Sequence, residues 1–425
     1  MSSLRKGLFA SVTGTSIEAI LLFIRGIIVI KTLSIDDFGT SIIIVNFFAL
    51  LGLLLHFRTS DIILKYHHLM LEKRGFSALS PLYFFSMLLP LSVTIAVSLF
   101  IFKYSDSIAL NLYSDKNIGP LICMYLPAFI FTSINGISST ALRIQGKNTT
   151  VVITQVVMAL ISLILIIYFS WIEQTLTLKK VIIIYCLATV FLSIVLIFFA
   201  AQTLQKKYGL FNIAPRLKLL DIDTKELRSI FFGVNITSWM KSSGDIGGLF
   251  LLSLLSNNTN VALYGLARQI VRPLGLIQTA IYNITMPEFM KLLSLRATNR
   301  AFNMINKYMI FSSLLCIPVF VIFYIYADEI IELFSTSEYM DADQISIILL
   351  ISSCLSIIFQ PFYSVALYFN MITLRNWISC FRFIFIGIAA FFGLTAINLA
   401  YANLAGNIAM RTMFDLNAYV KIKKI

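Results

Sequence analysis

The chain has 425 residues, of which 59% are hydrophobic and only 12% charged. An ordinary soluble domain is nearer half apolar and a quarter charged, so this composition excludes one and points to a membrane protein. The formal net charge of +13 would mark a nucleic-acid binder in a soluble chain; in a membrane chain it is what Lys and Arg collecting on the cytoplasmic side produce.

About 20 apolar residues cross the hydrocarbon core, and runs of that length recur along the chain. They lie near 8–30, 40–64, 81–102, 119–142, 151–171 and 181–202. The first follows Arg5 and Lys6, as a signal peptide would. It contains Glu18 and Arg25 and lacks a small-residue cleavage site, so it reads as an uncleaved helix. A basic stretch over 203–228 follows, carrying Lys206, Lys207, Arg216, Lys218, Lys225 and Arg228. Further runs lie near 229–255, 261–286, 308–327, 344–369, 371–392 and 394–416. The expected architecture is an all-α integral membrane protein of about twelve transmembrane helices. It divides into an N-terminal six-helix bundle (1–203), a basic cytoplasmic connector (204–228) and a C-terminal six-helix bundle (229–425). Six plus six is the repeat plan of many secondary transporters.

Loop charge sets the orientation. One set of segments holds Arg5, Lys6, Lys73, Arg74, Lys147, the basic connector, Lys291, Arg296, Arg300, Lys307, Arg375, Lys421, Lys423 and Lys424. The other holds only Lys31, Lys103, Lys116, Lys179 and Lys180, together with an acidic loop over 328–343. Positive charge stays inside, so both termini are expected in the cytoplasm.

The five cysteines, Cys123, Cys186, Cys316, Cys354 and Cys380, sit in apolar runs without metal or redox spacing and read as packing residues. His67 and His68 read as interfacial residues at the inner end of the second span. No phosphate-binding loop, zinc motif or nucleophile elbow occurs, and no loop is long enough for a soluble catalytic domain, so no enzyme, metal site or resident cofactor is expected.

The informative residues are the charges inside the spans, each of which costs a few kcal/mol near the bilayer centre unless it meets a partner or a cavity. Glu18 and Arg25 share a face of the first helix. Arg58, Asp61 and Lys65 form a stripe on the second, Lys241 and Asp245 stand at i, i+4 on the seventh, and Arg268 and Arg272 do so on the eighth; Arg382 lies in the eleventh. Pairing as structural salt bridges is open for Glu18 with Arg25, Arg58 with Asp61, and Lys241 with Asp245. Six deep cations (Arg25, Arg58, Lys241, Arg268, Arg272, Arg382) face three carboxylates (Glu18, Asp61, Asp245), so pairing leaves three cations over. Arg58 and Arg272 have the weakest claim to depth, because long side chains near helix ends snorkel. A water-filled cationic cavity for an anionic ligand is the preferred reading, and arginine suits phosphate because its planar fork binds two oxygens.

Two stretches then resemble a known family. Phe23-Ile24-Arg25-Gly26-Ile27-Ile28-Val29-Ile30-Lys31-Thr32-Leu33 followed by Asp36-Asp37-Phe38-Gly39 looks like the start of bacterial O-antigen and polysaccharide repeat-unit flippases. Ala262-Leu263-Tyr264-Gly265-Leu266-Ala267-Arg268, leading to Met286-Pro287-Glu288, is similar to their eighth helix. The superfamily includes multidrug antiporters and lipid II flippases. The resemblance implies a V-shaped, MATE-like pair of six-helix bundles in the bacterial inner membrane. It further implies transfer of an undecaprenyl-pyrophosphate-linked oligosaccharide between leaflets, alongside a polysaccharide polymerase and a chain-length regulator. Lipid II flippases use arginines on helices one, two and eight, and motif to motif Arg25, Arg58 and Arg268 fall there. Arg272 departs from the lipid II pattern, which has an acidic residue nearby; with the short C-terminus this favours an O-antigen or similar repeat unit. Lys241, Arg272 and Arg382 join the substrate-binding set on charge, and Glu18, Asp61 and Asp245 are candidates for coupling to H+ or Na+. A multidrug/cation antiporter predicts a net acidic cavity, and a membrane polymerase or ligase needs a substantial outer loop; both fit less well.

Overall fold

In the computed structural model the described residues are 2–57, 59–75, 79–209, 243–294, 298–362 and 380–415, with positions 235, 236, 239, 371, 374, 377 and 378. Every regular element among them is helical. In chain order these are α1 (Ser2–Thr32), α2 (Ile35–Leu55), α3 (Thr59–Arg74), α4 (Leu79–Tyr113), α5 (Ile118–Ile144), α6 (Asn148–Ile167) and α7 (Leu178–Tyr208). There follow α8 (Gly248–Leu255), α9 (Asn258–Ser294), α10 (Thr298–Ile325), α11 (Ala327–Phe334), α12 (Ala342–Ile358), α13 (Phe381–Phe391) and α14 (Ala396–Met410). Single π-helical turns extend α6 (Tyr168–Ile172), precede α8 (Ser243–Gly247) and extend α14 (Arg411–Asp415).

Hydrocarbon offers backbone groups no water, so a spanning segment satisfies them internally as a helix. Seven helices among the described residues are long and apolar enough to span, including α1, α2, α4, α5, α7 and α10. The chain is thus a multi-pass membrane protein. Within α4 the backbone leaves helical geometry at Tyr104 (φ -114°, ψ 18°), so its 35 residues form two helical segments joined by a kink.

Two expectations need correction. The run over 40–64 is not one helix: α2 ends at Leu55 and α3 starts at Thr59, with Phe57 in the left-handed region at φ 51°. The break exposes carbonyls at the end of α2, and side chains satisfy them. Trp239 Nε1 donates to the Leu53 carbonyl at 2.8 Å and Asn235 Nδ2 to the Phe57 carbonyl at 3.2 Å. Asp61 therefore belongs to α3 and not to the helix that carries the first part of that run, while Arg58 and the Lys65 side chain lie outside the described residues. The acidic loop over 328–343 is likewise not all loop. It contains α11, which buries Ala327 and Ile331 on one face and starts with Asp328 and Glu329, where carboxylates favour a helix N-terminus. The connector begins inside a helix, since Lys206 and Lys207 lie in the last turn of α7; its remaining basic residues, Arg216, Lys218, Lys225 and Arg228, lie outside the described residues.

The chain forms two compact units: Met1–Ile28 with Ile44–Trp239, and Val29–Ile43 with Met240–Ile425. In the first, one apolar core gathers Ile63, Tyr66, Leu79, Tyr83, Leu142, Val151, Leu196 and Tyr208 from α3 to α7. In the second, the turn between α1 and α2 is fastened to later elements. Ile35 N donates to Glu338 at 3.4 Å, Asn258 Nδ2 to Thr40 Oγ1 at 3.2 Å and Thr259 Oγ1 to Asp36 Oδ1 at 3.3 Å. The Phe38 and Tyr339 rings meet edge to face at 6.1 Å. Gly39 lies directly against the Asn258 carbonyl, where any Cβ would collide.

Candidate functional site

Among the described residues of the first unit, Arg25 is a guanidinium inside a span. Arg25 lies about six turns into α1, beside the buried Gly26 and Ile28, and is itself half-buried. It does not pair with Glu18. Its Nη1 donates to Ser162 Oγ on α6 at 3.1 Å, and its Cζ stands 4.2 Å from the centre of the Tyr185 ring on α7. Ser162 is fully buried and passes its own proton to the Ala159 carbonyl at 2.9 Å, leaving its lone pairs for the arginine. Arg25 Nε is buried and has no hydrogen-bond partner. Among the described residues both partners are neutral, so the cation enters the membrane span without a counter-charge. Glu18 and Asp61 are half-buried.

The charges of the second unit are arranged otherwise. On α9, residues Val261, Ala262, Leu263, Tyr264, Leu266, Ala267, Val271 and Leu274 are buried. Arg268, Arg272 and Gly275, at i, i+4 and i+7, occupy one exposed stripe. Arg382 on α13 donates through Nη2 to Asn407 Oδ1 at 2.6 Å, and Asn407 Nδ2 in turn donates to Ser352 Oγ on α12. Its stem lies flat on two glycines: a Cβ at Gly406 would stand 2.8 Å from Arg382 Cβ, and one at Gly244 would collide with the guanidinium end. Arg411 and Asp415, buried in the final π turn, form an ion pair at 2.6 Å. The sequence reading missed this pair, although its i, i+4 spacing inside the last apolar run is the signal used for Lys241 and Asp245. Along α14 and its extension, Asn403, Asn407, Arg411 and Asp415 are all buried at four-residue spacing, and Asn403 Nδ2 donates to Tyr264 Oη at 2.8 Å.

Arg58 and Lys241 lie outside the described residues; Asp245 is in the π turn before α8, with its side chain outside them. His67 is fully buried on α3, its Nδ1 3.0 Å from Tyr83 Oη and its Nε2 3.3 Å from Tyr208 Oη. Gln145 closes that network by donating to Tyr208 Oη at 3.0 Å and accepting from Lys207 Nζ at 2.6 Å. The His68 side chain lies outside the described residues. The five cysteines are free thiols, and among the described residues no cluster of His, Cys, Asp and Glu has metal-binding geometry.

A bundle of membrane helices with arginines in its spans is common to several transporter groups, and comparison with known proteins narrows it. The family described as "Polysaccharide biosynthesis protein" matches residues 28–344. The chain belongs to this family. The match includes Arg58, Lys241, Arg268 and Arg272 and begins just after Arg25. Solved structures give the fold. A multidrug-resistance MATE family transporter of the MOP superfamily, in an inward-facing conformation, aligns with TM-score 0.70 at 14% identity over 96% of this chain and 95% of that one. The lipid II flippase MurJ in an inward closed conformation aligns with TM-score 0.71 at 14% identity, over 96% of this chain and 89% of that one. A MOP superfamily transporter from Pyrococcus furiosus aligns with TM-score 0.61 at 14% identity over 99% and 95%. This member of the polysaccharide biosynthesis family therefore has the MATE-like fold of that superfamily. No curated protein sequence matches it.

Proposed function

We propose that the chain is a flippase that carries an undecaprenyl-pyrophosphate-linked oligosaccharide, an O-antigen or similar repeat unit, from the cytoplasmic to the periplasmic leaflet of a bacterial inner membrane. The observation that carries this reading is Arg25, a guanidinium inside an apolar helix whose contacts are a hydroxyl and a ring and whose Nε–H has no partner. An unpaired cation in a low-dielectric span is costly, and an anionic ligand relieves that cost. Phosphate oxygens fit best, because charge-assisted bonds to a planar fork are short, strong and directional. Membership of a polysaccharide biosynthesis family supports a glycan cargo, and the lipid II flippase with the same fold supports a lipid carrier.

The cycle needs no bond chemistry. The diphosphate meets Arg25, and Arg58, Lys241, Arg268 and Arg272 are further cations for substrate binding; the sugars pass with it and the polyprenyl tail stays in lipid. Arg382, tied to Asn407, holds the second unit together. Alternating access follows from differential stabilisation of inward- and outward-facing states. Glu18, Asp61 and Asp245 exchange H+ or Na+ during the cycle, and a polymerase and chain-length regulator take up the exported unit. A cation antiporter fits poorly, since its substrate would meet the guanidinium first.

Arg25→Ala, expressed at wild-type level in a host that depends on the chain, is expected to abolish surface polysaccharide and accumulate inward-facing carrier-linked repeat units. Normal surface polysaccharide in that strain would refute the reading.

A further inference from the structure

The Proposed function gives Arg25 an anionic ligand; the contacts around Arg25 go further and fix how that ligand is held. A guanidinium meets an oxyanion in the plane of its N–H bonds, either end-on through both Nη groups or side-on through Nε and Nη2. Ser162 takes one Nη1 proton at 3.1 Å. Tyr185 covers one face of the plane at 4.2 Å. The Nε–H is buried and has no hydrogen-bond partner, so the guanidinium keeps an unsatisfied donor. Ser162 is locked in turn by the Ala159 carbonyl. Tyr185 belongs to α7 and Ser162 to α6, so two helices other than its own hold the arginine in one orientation.

We propose that Tyr185 is a positioning residue for the lipid-linked diphosphate. Its ring fixes the Arg25 guanidinium in one orientation, so that a phosphate is met by a fork that is already ordered. A free arginine loses several rotatable bonds on binding, whereas a stacked one has already lost them, so the ring raises affinity without touching the ligand. The ring face does this, not the phenol hydroxyl.

The test uses the purified full chain in detergent and an isoprenyl diphosphate, farnesyl diphosphate, as probe, with farnesol as the uncharged control. Binding is read as affinity, and stability as the melting temperature of the ligand-free protein. Tyr185→Phe is expected to bind the diphosphate within about twofold of wild type, and Tyr185→Leu to bind about tenfold more weakly, with little change in the ligand-free melting temperature. Arg25→Lys, which keeps the charge and loses the fork, is expected to resemble Arg25→Ala more than wild type. Should Tyr185→Leu fail to fold, Tyr185→Met replaces it, keeping apolar volume without a π face. Wild-type affinity in the Leu or Met variant overturns the proposal, as does a Phe variant as weak as the Leu variant, because the hydroxyl would then be responsible. Undiminished binding by Arg25→Ala would instead overturn the functional reading on which this inference rests. Loss in Arg25→Ala with none in Tyr185→Leu would overturn this inference alone.

Discussion

Among the described residues, Arg25 of the first unit and the arginines Arg382 and Arg411 of the second are held in opposite ways. In the first, Arg25 reaches a serine and an aromatic ring and keeps an unmatched positive charge. In the second, Arg411 is neutralised by Asp415 within one turn of its own helix, and Arg382 is clasped by Asn407 over two glycines. A buried cation whose counter-charge is built in is a fixed part of the packing, since removing either partner strands the other. A cation with only neutral neighbours is held in place electrically incomplete, which is the condition of a receptor. Counting charges in the spans does not separate these cases; identifying the partners does.

This contrast makes graded predictions. The largest effect on stability belongs to the second unit: Arg411→Ala or Asp415→Ala strands a buried charge and costs about 3–5 kcal/mol. That appears as a large drop in melting temperature or loss of monodisperse protein, and replacing both residues with apolar ones of similar size recovers most of it. Arg25→Ala, by contrast, is expected to change stability by less than about 1 kcal/mol while removing transport, because no carboxylate is left behind. A melting-temperature loss equal to that of Arg411→Ala would erase the distinction between the units. Next in size is Gly406→Ala, whose Cβ would press on Arg382 at 2.8 Å. Overpacking costs about 1–3 kcal/mol, partly offset by the better helix propensity of Ala, and thermal melting reads the sum. The smallest is Tyr83→Phe, which removes one hydrogen bond to His67 at 3.0 Å and is expected to cost about 0.5–1.5 kcal/mol with transport unchanged.

Much of this was legible in advance, and the misses have definite causes. The first, third, fourth, fifth and sixth spans lie within a few residues of α1, α4, α5, α6 and α7 wherever apolar length decides the matter; the expected end at 102 falls beside the kink at Tyr104, beyond which a second segment of α4 continues to Tyr113. The break after Leu55 was not legible, because the acceptors it frees are satisfied by Asn235 and Trp239, almost two hundred positions away. Helix α11 was hidden by acidic composition, although Ala327 and Ile331 have the i, i+4 spacing of a buried stripe. For the site, the shared face of Arg268 and Arg272 is readable from spacing. Spacing also offered Glu18 as the partner of Arg25, and the residues that actually hold it, Ser162 and Tyr185, come from α6 and α7 and leave no trace near Arg25 in the sequence.

The most direct test of the central claim is translocation itself. The full chain is reconstituted into liposomes carrying a fluorescent undecaprenyl-diphosphate-linked oligosaccharide, and exchange between leaflets is followed with a membrane-impermeant quencher. The account predicts exchange that depends on the protein and falls to the rate of protein-free liposomes in Arg25→Ala. Equal exchange by wild type and Arg25→Ala, at equal amounts of folded protein, would contradict it.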